Sequence, residues 1–147
     1  MERKHIIKVS SEIYLSPCSK KDYDGILAQY VKHIRDNSDR FQAFDIFRRG
    51  NIKVGNLHIF SYSPDLLGLE WIDIEKEHRG HKYATQVISK WIQTAKEKGY
   101  KEVILEVPGN APDARHIYEK LGFKMTGEVR EKNNPSWNGL YRMSLKL

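Results

Sequence analysis

The sequence predicts a mixed α/β (α+β) fold, and three observations carry that expectation. Some segments repeat apolar residues at helical spacing, others alternate at the two-residue period of strands, and the two kinds interleave along the chain. Lys4 to Val9 reads as an extra strand hairpinned onto Glu12-Ile13-Tyr14-Leu15. Tyr23, Ile26, Leu27, Tyr30, Val31 and Ile34 then mark one face of a first helix. Ser19, with Asp22 three residues on, has the form of a capping box at its start. Phe41 to Arg48 and Ile52 to Tyr62 are strands flanking Arg49-Gly50-Asn51, a turn composition. Ser63-Pro64-Asp65 turns the chain into a further strand, Leu66 to Ile74.

The second half continues the alternation. Ala84, Val87, Ile88, Trp91, Ile92 and Ala95 describe a second helix that Gly99 stops. Glu102 to Val107, with Val103, Ile104 and Leu105 contiguous, has the pattern of a strand buried on both faces. A short third helix carries Ala114, Ile117, Tyr118 and Leu121, with Asn110 as N-cap, Pro112 and Asp113 in its first turn, and Gly122 as its stop. Phe123, Met125, Gly127 and Val129 alternate with polar residues, as do Tyr141, Met143, Leu145 and Leu147, predicting two closing strands. The result is one mixed sheet in one domain, residues 1–147.

Composition limits the function classes. The chain has 147 residues, 39% hydrophobic and 30% charged, enough for a core without covalent staples. Its single cysteine, Cys18, excludes an internal disulfide framework and a Cys-built zinc site. No apolar run approaches the roughly 20 residues that span a bilayer, and Met1 to Lys8 lacks the apolar stretch of a signal peptide. A cytoplasmic protein with no membrane partner is therefore expected. The net charge of +6 is spread thinly: residues 1–64 carry 11 basic and 7 acidic side chains, and residues 65–147 carry 14 and 12. No basic stripe forms, which counts against a nucleic-acid partner.

The stretch that carries chemistry follows the strand Leu69-Glu70-Trp71-Ile72-Asp73-Ile74. Arg79-Gly80-His81-Lys82 places cations at the start of the second helix, where the macrodipole prefers anions. A phosphate held by first-turn N–H groups would satisfy both the cations and the helix end. Arg79-Gly80-His81-Lys82-Tyr83-Ala84 resembles the Gln/Arg-x-x-Gly-x-Gly/Ala signature of the GNAT superfamily of acetyl-CoA-dependent N-acetyltransferases, with Lys82 standing where the middle glycine is usual. A second stretch, Asn110 through Ala114, Tyr118, Gly122 and Phe123, is similar to the family's Asn…Ala-x-x-x-Tyr-x-x-x-Gly-Phe pattern and is intact. The likeness is strong from Ile72 to Phe123.

The resemblance implies a central, mostly antiparallel sheet of six to seven strands, with two splayed parallel strands at a cleft for acetyl-CoA (coenzyme A). It implies that main-chain amides of Arg79, Gly80, His81, Lys82, Tyr83 and Ala84 hold the pyrophosphate. Ile72 and Ile74 would lie beside the pantetheine arm, Asn110 would bond the cofactor near the splay, and Tyr118 would sit by the sulfur as general acid. The implied activity is an acyltransferase reaction, acetyl transfer to a primary amine, small molecule or peptide, by a monomer or homodimer. For the base, Glu70 and Asp73 are the candidates beside a water path; simple alternation puts them on opposite faces and favours Glu70. A non-catalytic acyl-CoA sensor of the same fold is the alternative. His78 and His81 lack the spacing of a metal pair, and no metal is expected. Cys18 is expected to be structural, and Trp137, in a polar loop, either meets substrate or anchors the loop.

Overall fold

The computed structural model describes residues 5–129 and 135–147. Its elements run β1 (Ile7–Lys8), β2 (Ile13–Pro17), α1 (Lys20–Leu27), α2 (Lys32–Asp36), β3 (Phe41–Arg48), β4 (Ile52–Ser63), β5 (Leu66–Ile74), α3 (Tyr83–Glu97), β6 (Glu102–Pro108), α4 (Pro112–Lys120), β7 (Lys124–Glu128) and β8 (Leu140–Lys146). The eight strands form one sheet in the order β1-β2-β3-β4-β5-β6-β8-β7. Every adjacent pair is antiparallel except β5 and β6. The mixed sheet with one parallel pair is as expected; β1 and the separately paired β7 take the count to eight. Lys4, assigned to the first strand, lies outside the described residues. No helix among the described residues is long and apolar enough to cross a membrane.

Turn chemistry sets the register. Gly50 and Asn51 take φ of 88° and 59° between β3 and β4, a conformation these two residues tolerate. The Ser63 hydroxyl accepts from the amides of Asp65 and Leu66 and closes the β4–β5 hairpin. Gly99, at φ 87°, ends α3.

Two apolar clusters cover the two faces of the sheet. The larger holds α3 through Val87, Ile88, Trp91 and Ala95 against Leu15, Ile46, Leu57, Leu69 and Leu105. The smaller gathers Ile34, Phe41, Ala43 and Phe60 under the α1–α2 pair, with Tyr23, Ile26, Leu27 and Tyr30 packed around them. The single first helix expected from periodicity is in fact two. Ser19 caps α1 through the Asp22 amide as expected, but Val31 is extended, at φ −62° and ψ 156°, and begins α2. Tyr30 turns inward to Phe41 and His58, and Val31 is left 50% exposed. That tertiary contact outweighs a helix weakened by Gly25 and two aspartates.

Phe60 has no exposed surface and meets the rings of Tyr62 and His33 edge-on, at 4.8 and 5.8 Å. Phe60→Ala is expected to lose about 3–5 kcal/mol of stability through the cavity it leaves, measured as the shift in urea midpoint.

Candidate active site

The site begins where two strands part. β5 and β6 pair in parallel from Leu66↔Glu102 to Leu69↔Leu105 and no further. Each keeps its outer partner well beyond that point, β5 to β4 as far as Ile74↔Gly55 and β6 to β8 as far as Pro108↔Leu140. The strands therefore open into a V. Backbone groups in such a gap have no ladder between them and want another partner. A cleft of about 670 Å³ runs from this V between α3 and α4.

The loop into α3 forms one wall of the cleft. Gly80 sits at φ +89° with no atom within 4 Å of where a Cβ would stand. Lys82 is the N-cap of α3 at φ 62°, in the left-handed region, and makes no side-chain cap. The middle glycine of the motif is thus replaced in residue type but kept in backbone conformation, at roughly 1 kcal/mol of local strain. The first-turn amides of α3 have no intrahelical carbonyl behind them, and Tyr83, Ala84 and Thr85 line the cleft. Arg79 donates from Nε to the Ile74 carbonyl at 2.7 Å and from its terminal nitrogen to Asp73 at 3.3 Å. Its charge therefore pins the loop to the end of β5. Ile72, Ile74, Arg79, Gly80, Lys82, Tyr83, Ala84, Asn110 and Tyr118 all line the cleft. His81 does not; its ring stacks on Tyr83 at 5.3 Å.

α4 and the turn before it form the other wall. The expected N-cap role of Asn110 is not realised: α4 starts at Pro112 after Ala111, with no side-chain cap. The Asn110 side chain instead donates to the Ser136 carbonyl at 2.6 Å, and its amide donates to the Trp137 carbonyl at 2.7 Å. The Trp137 segment is thereby a main-chain anchor for Asn110, and Trp137 itself is half-buried. Gly109 is required here, because a Cβ would fall 2.0 Å from the Asn138 carbonyl oxygen. Tyr118 packs edge-on against Phe123 at 6.1 Å. Burial raises its pKa above the ordinary phenol value, so its hydroxyl stays protonated at neutral pH.

A second cavity, about 400 Å³, lies against the α1–α2 pair and is lined by Tyr30, Asn56, His58, Glu70 and Trp71 among others. Here the sheet departs from simple alternation. His58 pairs with Trp71 and Ile59 with Leu69, so Glu70 is the extra residue of a β-bulge. The bulge resets the alternation. Glu70 and Trp71 both border the cavity, and register sets Asp73 across from Asn56, on the same face. The expectation that Glu70 and Asp73 face opposite ways fails for that reason. Ile74 belongs to the α3 core and not to Glu70's face. The two carboxylates are separated by partners: the Tyr62 hydroxyl donates to Glu70, whereas Asp73 pairs with Arg79. Burial and the Glu70 charge raise the pKa of both Tyr30 and Tyr62.

His58, Tyr30 and Trp71 were not among the residues expected in the site. His58 could have been suspected, as the one titratable residue in the apolar run Leu57 to Phe60. It is 7% exposed. Its Nδ1 is hydrogen-bonded to the Tyr30 hydroxyl at 2.7 Å, while Nε2 has no partner. Elsewhere, burial and nearby aspartates raise the Cys18 thiol pKa, which suits packing and not nucleophilic attack. Glu75, Glu77 and His78 bring ligand atoms within 4.8 Å of one another beside the α3 loop, a grouping different from the His78–His81 pair.

Burial holds the His58 pKa down to about 4, the Asp45 charge opposing only in part. The folded state therefore keeps His58 neutral while the unfolded chain takes up a proton near pH 6.5. Stability conferred by the neutral form is complete above pH 6.5 and falls as pH drops toward 4, by on the order of 3 kcal/mol. Denaturant titrations between pH 4 and 7 are expected to show this slope, and His58→Gln to flatten it.

The comparisons with known proteins accord with this geometry. Residues 8–123 match the model of the acetyltransferase (GNAT) family. The probable N-acetyltransferase family 8 member 5 of Mus musculus is 25% identical over 129 residues, covering 84% of this chain and 54% of that protein. The chain spans about half the length of the curated relatives it matches over most of its sequence. Among solved structures, a GNAT family acetyltransferase from Elizabethkingia anophelis with acetyl-CoA bound superposes with a TM-score of 0.73 at 17% identity, covering 94% of this chain and 100% of that one. Spermidine N-acetyltransferase from Vibrio cholerae, in complex with CoA and spermine, gives 0.71 at 20% identity, covering 93% and 96%. With the family model matched from residue 8 to residue 123, well over half of its length, the chain belongs to the acetyltransferase (GNAT) family.

Proposed function

We propose that the chain is an N-acetyltransferase that moves an acetyl group from acetyl-CoA directly to a primary amine. The observation that carries this reading is the V between β5 and β6, opening onto the N-terminus of α3. The residues present fit the cofactor. The first turn of α3 offers amides and a favourable dipole to a pyrophosphate, Gly80 leaves the approach open, and Lys82 adds a flexible cation at the same wall. Ile72 and Ile74 give an apolar flank for the pantetheine arm.

Acetyl-CoA, when bound, supplies an activated thioester. The rest falls to side chains of this chain. An incoming ammonium must lose a proton before it can attack, and Glu70 is the better-supported base: it lines the cavity on the α1–α2 face, and the Tyr62 hydroxyl orients its carboxylate. Asp73, at the cofactor wall and paired with Arg79, is the second candidate. Tyr118 is suited to protonate the departing sulfur, because burial keeps its hydroxyl protonated. The β5 backbone in the V offers donors for the charge that builds on the carbonyl oxygen.

Acetyl-CoA at about 100 times its Kd is expected to stabilise the fold by about 2.7 kcal/mol, seen as a rise in Tm. No shift at millimolar acetyl-CoA overturns the cofactor assignment. With a competent amine, Tyr118→Phe should lower kcat by about 10²-fold or more while the Tm shift is retained. Glu70→Gln should do likewise and Asp73→Asn much less; equal losses would return the base to Asp73 or to a water path.

A further inference from the structure

The second cavity carries more information than the location of a base. It is closed on one side by an indole that is 50% exposed yet held in place from two directions. The Trp71 N–H donates to Asn56 Oδ1 at 2.7 Å. Its ring lies over the His58 ring at a centroid distance of 6.3 Å and an angle of 25°. His58 is in turn fixed by Tyr30, whose ring meets it edge-on at 5.7 Å. A large apolar surface facing solvent is unfavourable, and a fixed one has already given up the freedom that binding would otherwise remove. The β-bulge then sets Glu70 directly beside Trp71 on the same face, their Cα atoms about 3.8 Å apart.

Resting on the acetyltransferase reading, we propose that the acceptor is a monocationic primary amine with an aromatic group two to four bonds from its nitrogen. The ring stacks on Trp71 and the nitrogen lies at Glu70. A cavity of about 400 Å³ has room for a molecule of that size. Among the described residues, Glu70 is the one carboxylate in its lining; Gln29, Asn56 and Ile26 are neutral. A polyamine would set its further ammonium groups against these neutral walls, leaving charge desolvated without a counterion. An arylalkylamine puts one charge on one carboxylate and a flat apolar face on a flat apolar wall. The ring quadrupoles of Trp71 and Tyr30 also favour a single ammonium while it is still charged.

The test compares acceptors at saturating acetyl-CoA by thiol release: 2-phenylethylamine, n-propylamine as the ring-less control, and spermidine. The aryl amine is expected to exceed propylamine in kcat/KM by at least about tenfold, the low end of what an apolar pocket gives for small increments of surface. Spermidine should do no better than propylamine. In Trp71→Ala the aryl-to-alkyl ratio should fall to near one, mostly through KM, while Trp71→Phe keeps most of it. An unchanged acetyl-CoA-induced Tm shift certifies that each variant is folded. The proposal is overturned if spermidine or propylamine matches the aryl amine, or if the ratio survives in Trp71→Ala. Absence of turnover with every amine overturns the catalytic reading instead, and calorimetry then decides the acceptor site. Binding of 2-phenylethylamine to the CoA-loaded protein that Trp71→Ala weakens at least tenfold upholds it, and no binding overturns it.

Discussion

The structure depends on one interruption: the hydrogen-bonded ladder between β5 and β6 stops after Leu69 and Leu105 while both strands continue. Parallel pairing of these strands positions α3 as the crossover between them, and the sheet's right-handed twist brings that helix back onto the face it covers. Once the pair separates, the helix N-terminus, the free strand edges and the turn into α4 converge on one cleft. Branched and apolar side chains on both strands, Val103 and Leu105 against Leu67 and Leu69, keep the closed part of the pair anchored in the core. The closed end of the V is thus buried in the core.

The bulge at Glu70 sits at this same point, and it divides labour between the faces of the sheet. Beyond it, Ile72 and Ile74 line the cleft between α3 and α4 and Trp71 lines the cavity under α1–α2, while Asp73, in register with Asn56, borders the first cleft through its pair with Arg79. The two cavities are therefore walled in part by neighbouring residues of a single strand. The electrostatics are divided too. Lys82 lines one cavity and Glu70 the other. The overall charge of +6 is spread along the sequence and not gathered here, and Arg79 is engaged with Asp73.

Much of this was legible in the sequence. β5 was expected over Leu66 to Ile74 and is found there, because turn residues and a strong apolar run bound it on both sides. Of the ten residues proposed to hold the cofactor, nine line one cleft, His81 excepted, and most are contiguous in the chain, which is why the sequence could group them. What was not readable needed tertiary contacts. The first helix breaks because Tyr30 is drawn to His58, a partner 28 residues away. Asn110 turns from capping α4 to bonding Ser136, 26 residues on. The bulge shifts the faces of Glu70 and Asp73, and nothing in the local pattern marks an inserted residue. The second cavity draws on three separate stretches, around Tyr30, His58 and Trp71, each of which reads alone as ordinary core or surface.

Unpaired strand edges invite other chains to add to them. In this sheet the outer edges are poor templates: β1 has two residues, and β7 is short, bears Lys124 and Glu128, and is offset by a bulge between Met125 and Gly127. The edges exposed by the V lie inside the sheet, facing each other and flanked by α3 and α4. A foreign strand would need to enter between two strands already fixed by their outer neighbours. The fold can thus leave backbone donors and acceptors open for a small ligand without opening a route to aggregation.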